Sequence, residues 1–304
     1  MHESVLLQEA VAALVMKPDG CYVDGTFGRG GHSRRILNSL TGGGSLLAVD
    51  RDRAALSEAE GLMAQDKRFA FIRASFSELP GVLADRGMQQ IDGLLLDLGV
   101  SSPQLDDASR GFSFLRDGPL DMRMDEDSGV SAADWLATAA EAEIARVLWE
   151  YGEERFSRRI ARAIVSAREE APITRTSVLS DIVSVANPAW ERHKHPATRS
   201  FQAIRIHVNR ELDELATALD QSLAMLTTGG RLVVLSFHSL EDRLVKRFMR
   251  RMADGDKLPS HIPVRDQDRN RKMKLIGKAG RASQAEVQEN VRARSVVMRV
   301  AEKL

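Results

Sequence analysis

The chain has 304 residues, and its 43 basic and 43 acidic side chains balance. It is long enough to bury a core of its own, as one large α/β domain or as a domain with an insert. The single cysteine, Cys21, excludes an intramolecular disulfide and argues against a cysteine zinc site, so we expect no bound metal and a reducing compartment. The first apolar stretch is broken by Gln8 and Glu9, and no later run reaches membrane-spanning length. These features predict a cytoplasmic protein without a membrane contact.

A glycine-rich turn follows the short apolar run at 22–23. Residues 24–33 read Asp-Gly-Thr-Phe-Gly-Arg-Gly-Gly-His-Ser. Glycines permit a tight turn and a close approach of the backbone to a ligand, although such a turn alone is also ordinary loop chemistry. The next apolar run, 46–49, ends at Asp50, whose carboxylate can accept both hydroxyls of a ribose. Together the two features predict a nucleoside-binding site.

Asp24 indicates which nucleoside cofactor is favoured. It comes just before the glycines, where its charge would repel the pyrophosphate of a dinucleotide. An acid at this position suits a ligand with a positive centre, such as a sulfonium. We therefore expect S-adenosylmethionine rather than NAD or ATP.

Short apolar runs recur along the chain, and helical patterns lie between them. This alternation predicts an α/β fold with a doubly wound, mostly parallel sheet of the Rossmann-like kind. Polar residues follow each of the first five strands, at the edge where such sheets bind ligands. The predicted strands are 22–23, 46–49, 69–72, 94–98, 232–235 and a final edge strand at 295–301, and the predicted helices of this part include 5–15, 33–40 and 211–226.

Roughly a hundred residues separate the fourth strand from the helix at 211–226, too many for one crossover connection. The segment 108–210 is therefore predicted to be a small helical insert that recognises substrate, between the two parts of the main domain at 1–107 and 211–304. We expect it to sit over the strand ends. Helical spacing within it covers 132–136, 142–149, 156–167 and 177–186.

Positive charge is segregated in a chain that is neutral as a whole. Segment 243–281 holds 13 Lys/Arg against 4 Asp/Glu, and segment 192–210 holds five Lys/Arg and three His with no acid. Such segments can follow a phosphate backbone, but for 243–281 a solvated surface is an equal alternative. The polar composition of 254–282 predicts a mobile basic loop.

The segment after the fourth strand, Asp-Leu-Gly-Val-Ser-Ser-Pro-Gln at 97–104, occupies the position where amine methyltransferases carry an acid or amide followed by prolines. An exocyclic amine conjugated to a base ring is a poor nucleophile, so the site must orient its lone pair and accept its hydrogen bonds. Asp97, the serine hydroxyls and backbone carbonyls can do this. Methylation at carbon 5 of a pyrimidine needs a cysteine nucleophile, and Cys21 precedes the first strand.

Six motifs spread over the whole chain resemble the bacterial small-subunit ribosomal RNA cytosine N4-methyltransferase family, the MraW-like enzymes. The resemblance implies a cytoplasmic enzyme that methylates the exocyclic N4 amine of one cytosine in the decoding region. Its partner would be the ribosomal RNA or the assembled small subunit, and a homodimer is compatible with the sequence. The motifs lie at 2–7, 24–33, 96–123, 151–155, 195–202 and 236–243.

The resemblance also implies roles for particular residues. The cofactor contacts would be Gly30, Gly31, His32, Asp50, Phe76, Asp97 and Gln104. We place the catalytic centre at Asp97, Ser102 and Pro103, with His238 either meeting the target base or hydrogen-bonding the turn at 241–242. The residues expected to contact RNA are Arg199, Arg205, Arg243, Lys246 and Arg247. The aromatic residues Phe112, Phe114, Trp135 and Trp149 could stack on a flipped base or belong to the core.

Two other classes of protein stay open. A methyltransferase of another substrate would share the cofactor motif but would not need the acid-free basic segment 192–210. A ribosome-assembly factor without catalysis would keep the basic surface and lose the cofactor motif, which is intact here.

Overall fold

The computed structural model describes residues 4–190, 195–256 and 270–304. The chain divides into two compact units, of which the first combines Met1–Gly99 with Leu212–Leu304 and the second is Val100–Glu211. The insert was predicted at 108–210, whereas the second unit begins earlier, at Val100, shortly after the fourth strand ends. In the described part of the chain no helix is long and apolar enough to cross a membrane.

The helices that the structure describes are α1 Leu7–Leu14, α2 Gly31–Ser39, α3 Leu56–Gln65, α4 Leu79–Asp85, α5 Ser102–Asp106, α6 Ala132–Thr138, α7 Glu141–Gly152, α8 Ser157–Glu170, α9 Thr176–Ala186, α10 Thr198–Val208, α11 Glu211–Met225, α12 Ser239–Asp254 and α13 Gln284–Glu289. The strands are β1 Cys21–Asp24, β2 Ser45–Asp50, β3 Phe69–Arg73, β4 Ile91–Asp97, β5 Leu226–Ser236, β6 Met273–Leu275 and β7 Val297–Lys303.

The first unit is built on one seven-stranded sheet with the order β3-β2-β1-β4-β5-β7-β6. Strands β1 to β5 pair in parallel, and the last two pair antiparallel. The central strands contain buried apolar runs because helices cover both faces; Leu94, Leu95 and Leu96 of β4 have no exposed surface. The prediction of a doubly wound, mostly parallel sheet is confirmed. Its order places β1 and β4 side by side, so the residues after these strands reach the same edge.

The structure has a strand near the predicted 295–301, but that strand is not at the edge of the sheet. Strand β7 lies between β5 and β6, and the three-residue β6 is the outer strand. Strand β6 falls inside the segment predicted as a loop at 254–282, because three residues are too few to show an alternating pattern. Residues 257–269 of that predicted loop lie outside the described residues.

The second unit is helical, as predicted, and has its own core. Apolar residues at helical spacing on α7, including Ile144, Val147 and Leu148, are fully buried with Ile160 and Ile164 of α8. Helix α10 belongs to the same core through buried Phe201 and Ile204. This helix was not predicted, because its basic residues lie between the apolar residues that face the core.

Candidate functional site

Asp24 at the end of β1 fixes the start of the glycine-rich turn. The Ser33 hydroxyl donates to its Oδ2 at 2.7 Å, and the Thr26 N–H donates to its Oδ1 at 3.1 Å. The residue is 1% exposed, and burial raises the pKa of its carboxyl against the hydrogen bond from Ser33. Its oxygens are therefore directed at the turn and α2, and its effect on a cationic ligand stays a prediction.

The glycines of the turn are required for two different reasons. Gly30 caps α2 at a φ of +72°, a left-handed conformation that other residues adopt at a cost. A Cβ atom there would also lie 2.7 Å from Cζ of Phe27. Gly31 begins the helix without a positive φ, but a Cβ atom on it would lie 2.0 Å from Oγ of Ser4. One glycine is needed for the backbone and the other for a neighbouring side chain.

Asp50 at the end of β2 ties the turn to the neighbouring strand. Its Oδ2 accepts the Gly28 N–H at 2.7 Å, and its Oδ1 accepts the Asp52 N–H at 2.9 Å. Burial raises the pKa of Asp50 to about 6, although both backbone hydrogen bonds favour the charged form. Each carboxylate oxygen keeps a further lone pair, so the group can still accept ribose hydroxyls.

Phe76 follows β3 in a 3₁₀ turn and is partly exposed. The hydroxyls of Ser75 and Ser77, on either side of it, both donate to the same oxygen, Oε2, of Glu214 on α11. The Ser75 N–H donates to Glu78 at 2.7 Å. These bonds fix the turn that carries the ring. Sequence reasoning missed Glu214, which is 139 residues from Ser75 and shares no motif with it.

His32 and Asp97 meet where β1 and β4 end side by side. Nδ1 of His32 lies 3.4 Å from Oδ2 of Asp97, and the imidazole is 4% exposed. Burial alone would lower the pKa of His32, but the hydrogen bond and charge of Asp97, with the charge of Asp24 and the carbonyl of Val5, raise it above its usual value. These two site residues, far apart in the chain, form one pair.

The backbone of Asp97 is fixed by a hydrogen bond, and one of its side-chain oxygens has no hydrogen-bond partner among the described residues. Its N–H donates to the Thr26 hydroxyl at 2.6 Å. Its Oδ1 is buried and has no hydrogen-bond partner among the described residues. A buried acceptor without a partner is uncommon and points to a donor supplied by a ligand. With glycines that leave room and a carboxylate beside a ribose position, these residues fit S-adenosylmethionine.

Ser102, Pro103 and Gln104 lie on α5 in the second compact unit. Gln104 is 6% exposed, and its Oε1 accepts the Ser101 N–H at 2.8 Å in a capping box that starts the helix. Pro103 lies in the first turn of α5, where its missing N–H costs nothing. The side chain of Ser102 is outside the described residues. The structure thus gives Gln104 a capping role beside its expected cofactor contact.

His238 is the N-cap of α12. Its Nδ1 accepts the Glu241 N–H at 3.5 Å, its Nε2 lies 3.0 Å from Oε1 of Glu241, and its side chain is 11% exposed. Of the two roles left open by the sequence, the structure shows the hydrogen bond to the turn. Contact with a target base stays a prediction.

The four aromatic candidates differ in their surroundings. Phe112 is 5% exposed and belongs to the core of the second unit, and Phe114 packs against that core while stacking on His195 at 4.6 Å between ring centres. Trp135 lies 4.5 Å from the His207 ring. Trp149 is 60% exposed. Trp149 is the least committed to packing of the four.

Arg205, one of the residues expected to contact RNA, is paired with a carboxylate of the protein. Its guanidinium donates twice to Glu211, from Nε to Oε1 and from Nη2 to Oε2 at 2.8 Å each. The side chains are 14% and 8% exposed. Arg199 donates to the Glu153 carbonyl oxygen at 3.0 Å. Residues 192–194 of this basic segment lie outside the described residues.

Helix α12 presents its cations to solvent. Arg243, Lys246 and Arg247 are exposed, and Arg250 continues their row one turn further on. The opposite face is apolar and buried through Val245 and Phe248. We call the four exposed residues at 243, 246, 247 and 250 the basic stripe.

A sequence model described as the MraW methylase family matches residues 1–304. The chain belongs to this family. It is 60% identical over 305 residues to the ribosomal RNA small subunit methyltransferase H of Chromohalobacter salexigens, covering 100% of this chain and 92% of that protein. Similar solved structures include TrmN from Thermus thermophilus, 15% identical with a TM-score of 0.44 over 98% of this chain and 48% of that one. An rRNA methylase from Streptococcus thermophilus is 11% identical with a TM-score of 0.42, over 100% and 99% of the two chains.

Membership in the family confirms the resemblance drawn from the six motifs. The predictions of a methyl-transferring enzyme and of S-adenosylmethionine as its cofactor are confirmed with it. The assignment of individual site residues remains a prediction, which the geometry above makes specific.

Proposed function

We propose that the chain transfers a methyl group from S-adenosylmethionine to the exocyclic N4 amine of a cytosine in the decoding region of small-subunit ribosomal RNA. The name of the 60% identical relative supports the RNA class. The observation that carries the chemistry is Oδ1 of Asp97 at the end of β4, which is buried and has no hydrogen-bond partner in the described part of the chain.

The reaction demands little covalent chemistry from the protein. The bound cofactor supplies an electrophilic methyl group on its sulfonium. The cytosine amine is a weak nucleophile, because its lone pair is delocalised into the ring, so an acceptor must orient its N–H bonds and stabilise the positive charge that develops. Oδ1 of Asp97 is such an acceptor. His32 holds the other oxygen of the same carboxylate and so keeps it oriented.

The remaining residues of the first unit bind the cofactor. Asp50 accepts the ribose hydroxyls, Phe76 offers a ring face to the adenine, and the glycine turn admits the methionine end beside His32. The serine hydroxyls around Phe76 fix its turn through Glu214. From the second unit we keep Gln104 as a proposed cofactor contact and Ser102, Pro103 and His238 as residues near the target base.

The basic stripe on α12 is the best supported part of the RNA-binding surface. Its exposed cations are spaced to follow phosphates along one helix face. We propose the ribosomal RNA or the assembled subunit as partner and the cytoplasm as the compartment, with the helical insert recognising the substrate. Sedimentation of the purified chain with and without RNA measures whether it forms a homodimer.

Transfer of labelled methyl groups to naked ribosomal RNA and to assembled small subunits, followed by nucleoside analysis, tests the proposal. We expect N4-methylated cytidine as the product. At saturating cofactor, Asp97→Ala should lower turnover by about 10²-fold or more, the usual effect of removing a transition-state hydrogen bond. Its melting temperature and affinity for S-adenosylhomocysteine separate this effect from unfolding or lost binding. A different methylated nucleoside, or wild-type turnover in Asp97→Ala, would show the proposal to be wrong.

A further inference from the structure

The N-terminal motif at 2–7 has no role in the proposed reaction. Its described part, Ser4 to Leu7, leads into α1. Val5 is 7% exposed and Leu6 is 2% exposed, so the segment is packed rather than loose. What it packs against is the glycine turn.

Ser4 explains a glycine that backbone geometry does not. Gly31 is the first residue of α2 and has no positive φ, so alanine there would ordinarily favour the helix. A Cβ atom on Gly31 would instead lie 2.0 Å from Oγ and 3.2 Å from Cβ of Ser4. The N-terminal segment therefore lies directly against the part of the turn expected to receive the cofactor.

Val5 places the same segment next to His32, the partner of Asp97. Its backbone carbonyl lies close enough to the buried His32 ring to raise the pKa of the imidazole, after the larger contributions of Asp97 and Asp24, although Nε2 of His32 has no hydrogen-bond partner among the described residues. Ser4 and Val5 thus lie beside two consecutive residues of the turn, Gly31 and His32.

Glu286 from the opposite end of the chain holds this segment in place. Leu6 has a φ of +51°, an unfavourable conformation for a leucine, and it begins α1 without a side-chain cap. Its N–H donates to Oε1 of Glu286 on α13 at 2.6 Å, across 280 residues of sequence. A carboxylate at this point also suits the positive end of the helix dipole.

We propose that Ser4–Leu6 forms a wall of the cofactor site beside Gly31 and His32, with Glu286 as the positioning residue that holds it there. The inference rests on the proposed function, because it takes the glycine turn as the cofactor site. Neither Ser4 nor Glu286 reacts; they set the width of the site at its methionine end.

A rescue experiment tests the wall. Gly31→Ala should weaken the binding of S-adenosylhomocysteine by about tenfold or more, as the new methyl group displaces Ser4 and the turn. Ser4→Gly removes both clashing atoms, so the Gly31→Ala/Ser4→Gly variant should bind within about twofold of Ser4→Gly alone. Calorimetry measures the affinities, and thermal melting checks folding. A double variant as weak as Gly31→Ala would show that Ser4 is not the obstacle and overturn the wall.

A second set of variants tests the positioning residue. Glu286→Ala should raise KM for S-adenosylmethionine by about threefold to tenfold and leave kcat at saturating cofactor within about twofold. Glu286→Gln keeps an oxygen acceptor for the Leu6 N–H and should restore most of the affinity. Glu289→Ala, an exposed acid on the same helix, is the matched control. Equal KM values for Glu286→Ala and Glu289→Ala would overturn the positioning role.

Asp50→Ala distinguishes failure of this inference from failure of the proposed site. If Asp50→Ala also binds S-adenosylhomocysteine normally, the glycine turn is not the cofactor site. If Asp50→Ala loses affinity while the Ser4 and Glu286 variants do not, only the wall is wrong.

Discussion

Helices α10 and α12 carry much of the positive charge that the sequence segregates, and they use it in opposite ways. On α10, Arg205 is paired with a carboxylate and Arg199 is bonded to a backbone carbonyl. On α12, the basic stripe faces solvent because the opposite face is apolar and buried. A count of charges does not distinguish the two helices. The periodicity of the charges does, since only on α12 do four cations recur at the spacing of one helix face.

The acids at the strand ends divide in the same way. Asp24 is 1% exposed, and its two oxygens accept hydrogen bonds from the turn and α2. Asp50 also accepts one hydrogen bond on each oxygen but is partly exposed, and at Asp97 one buried oxygen is unpartnered among the described residues. Acids that look alike in sequence therefore differ in how much of the carboxylate is left for a ligand, and substitutions can separate a role in the fold from a role in binding.

Arg205→Ala should give the largest effect, on stability rather than on RNA binding. Removing one partner of a mostly buried, doubly bonded pair leaves the Glu211 carboxylate uncompensated and should cost about 3 kcal/mol or more. Urea unfolding measures the loss. Arg205→Met combined with Glu211→Leu should be less destabilised than Arg205→Ala, because the Glu211 carboxylate is removed together with its partner. A stable Arg205→Ala variant with weakened RNA binding would instead show that Arg205 contacts RNA.

Asp50→Ala should weaken binding of S-adenosylhomocysteine by about 1.5–3 kcal/mol, the usual value of hydrogen bonds to a charged acceptor. Since the pKa of Asp50 is raised to about 6, affinity in the wild type should fall as the pH drops through that value and the carboxylate takes up a proton. In Asp50→Asn, affinity should not fall in this pH range, apart from any change that other titrating groups cause. Calorimetry from pH 5 to 8 on both proteins measures the difference, and identical profiles would contradict the assignment.

The raised pKa of Asp50 also makes the free energy of unfolding depend on pH. Between the usual value of 3.8 and about 6, the folded protein holds a proton on Asp50 that the unfolded chain has released. The free energy of unfolding should therefore fall as the pH rises through this window, by at most about 3 kcal/mol. Asp50→Asn should not show this contribution. Unfolding of both proteins at pH 4.5 and 7 measures it.

The sequence was sufficient wherever the signal is local. Strands β1 to β5 each contain a short apolar run, and the glycine turn is a compact motif, so both could be predicted. The first part of β5, 226–231, was not predicted, because it reads Leu-Thr-Thr-Gly-Gly-Arg. The pairs that hold the site are not local: Glu214 lies 139 residues from Ser75 and Glu286 lies 280 from Leu6. The ion pair of Arg205 could have been anticipated, since its partner, Glu211, is the first residue after the acid-free segment.

The smallest expected effect concerns the basic stripe and would sharpen the contrast with α10. Two of its residues, Lys246 and Arg247, can be replaced by alanine with little effect on stability because their side chains are exposed. Each phosphate contact on single-stranded RNA contributes roughly 0.7 to the slope of log affinity against log salt. The double variant should therefore flatten that slope by about 1.4 if both residues contact phosphates, while affinity for S-adenosylhomocysteine stays constant.

The matched control for this measurement is Lys67→Ala combined with Arg86→Ala. Both residues are exposed. Lys67 precedes β3 and Arg86 precedes β4, so they lie at the amino ends of these strands, opposite the carboxyl ends where the cofactor site is proposed. This control removes the same charge and should leave the salt slope near that of the wild type, because phosphate contacts depend on position rather than on net charge. If both double variants change the slope equally, the stripe acts only through the overall field of the protein. If neither changes it, the cations of α12 are a solvated face like any other, and the contrast between the two helices would concern stability alone.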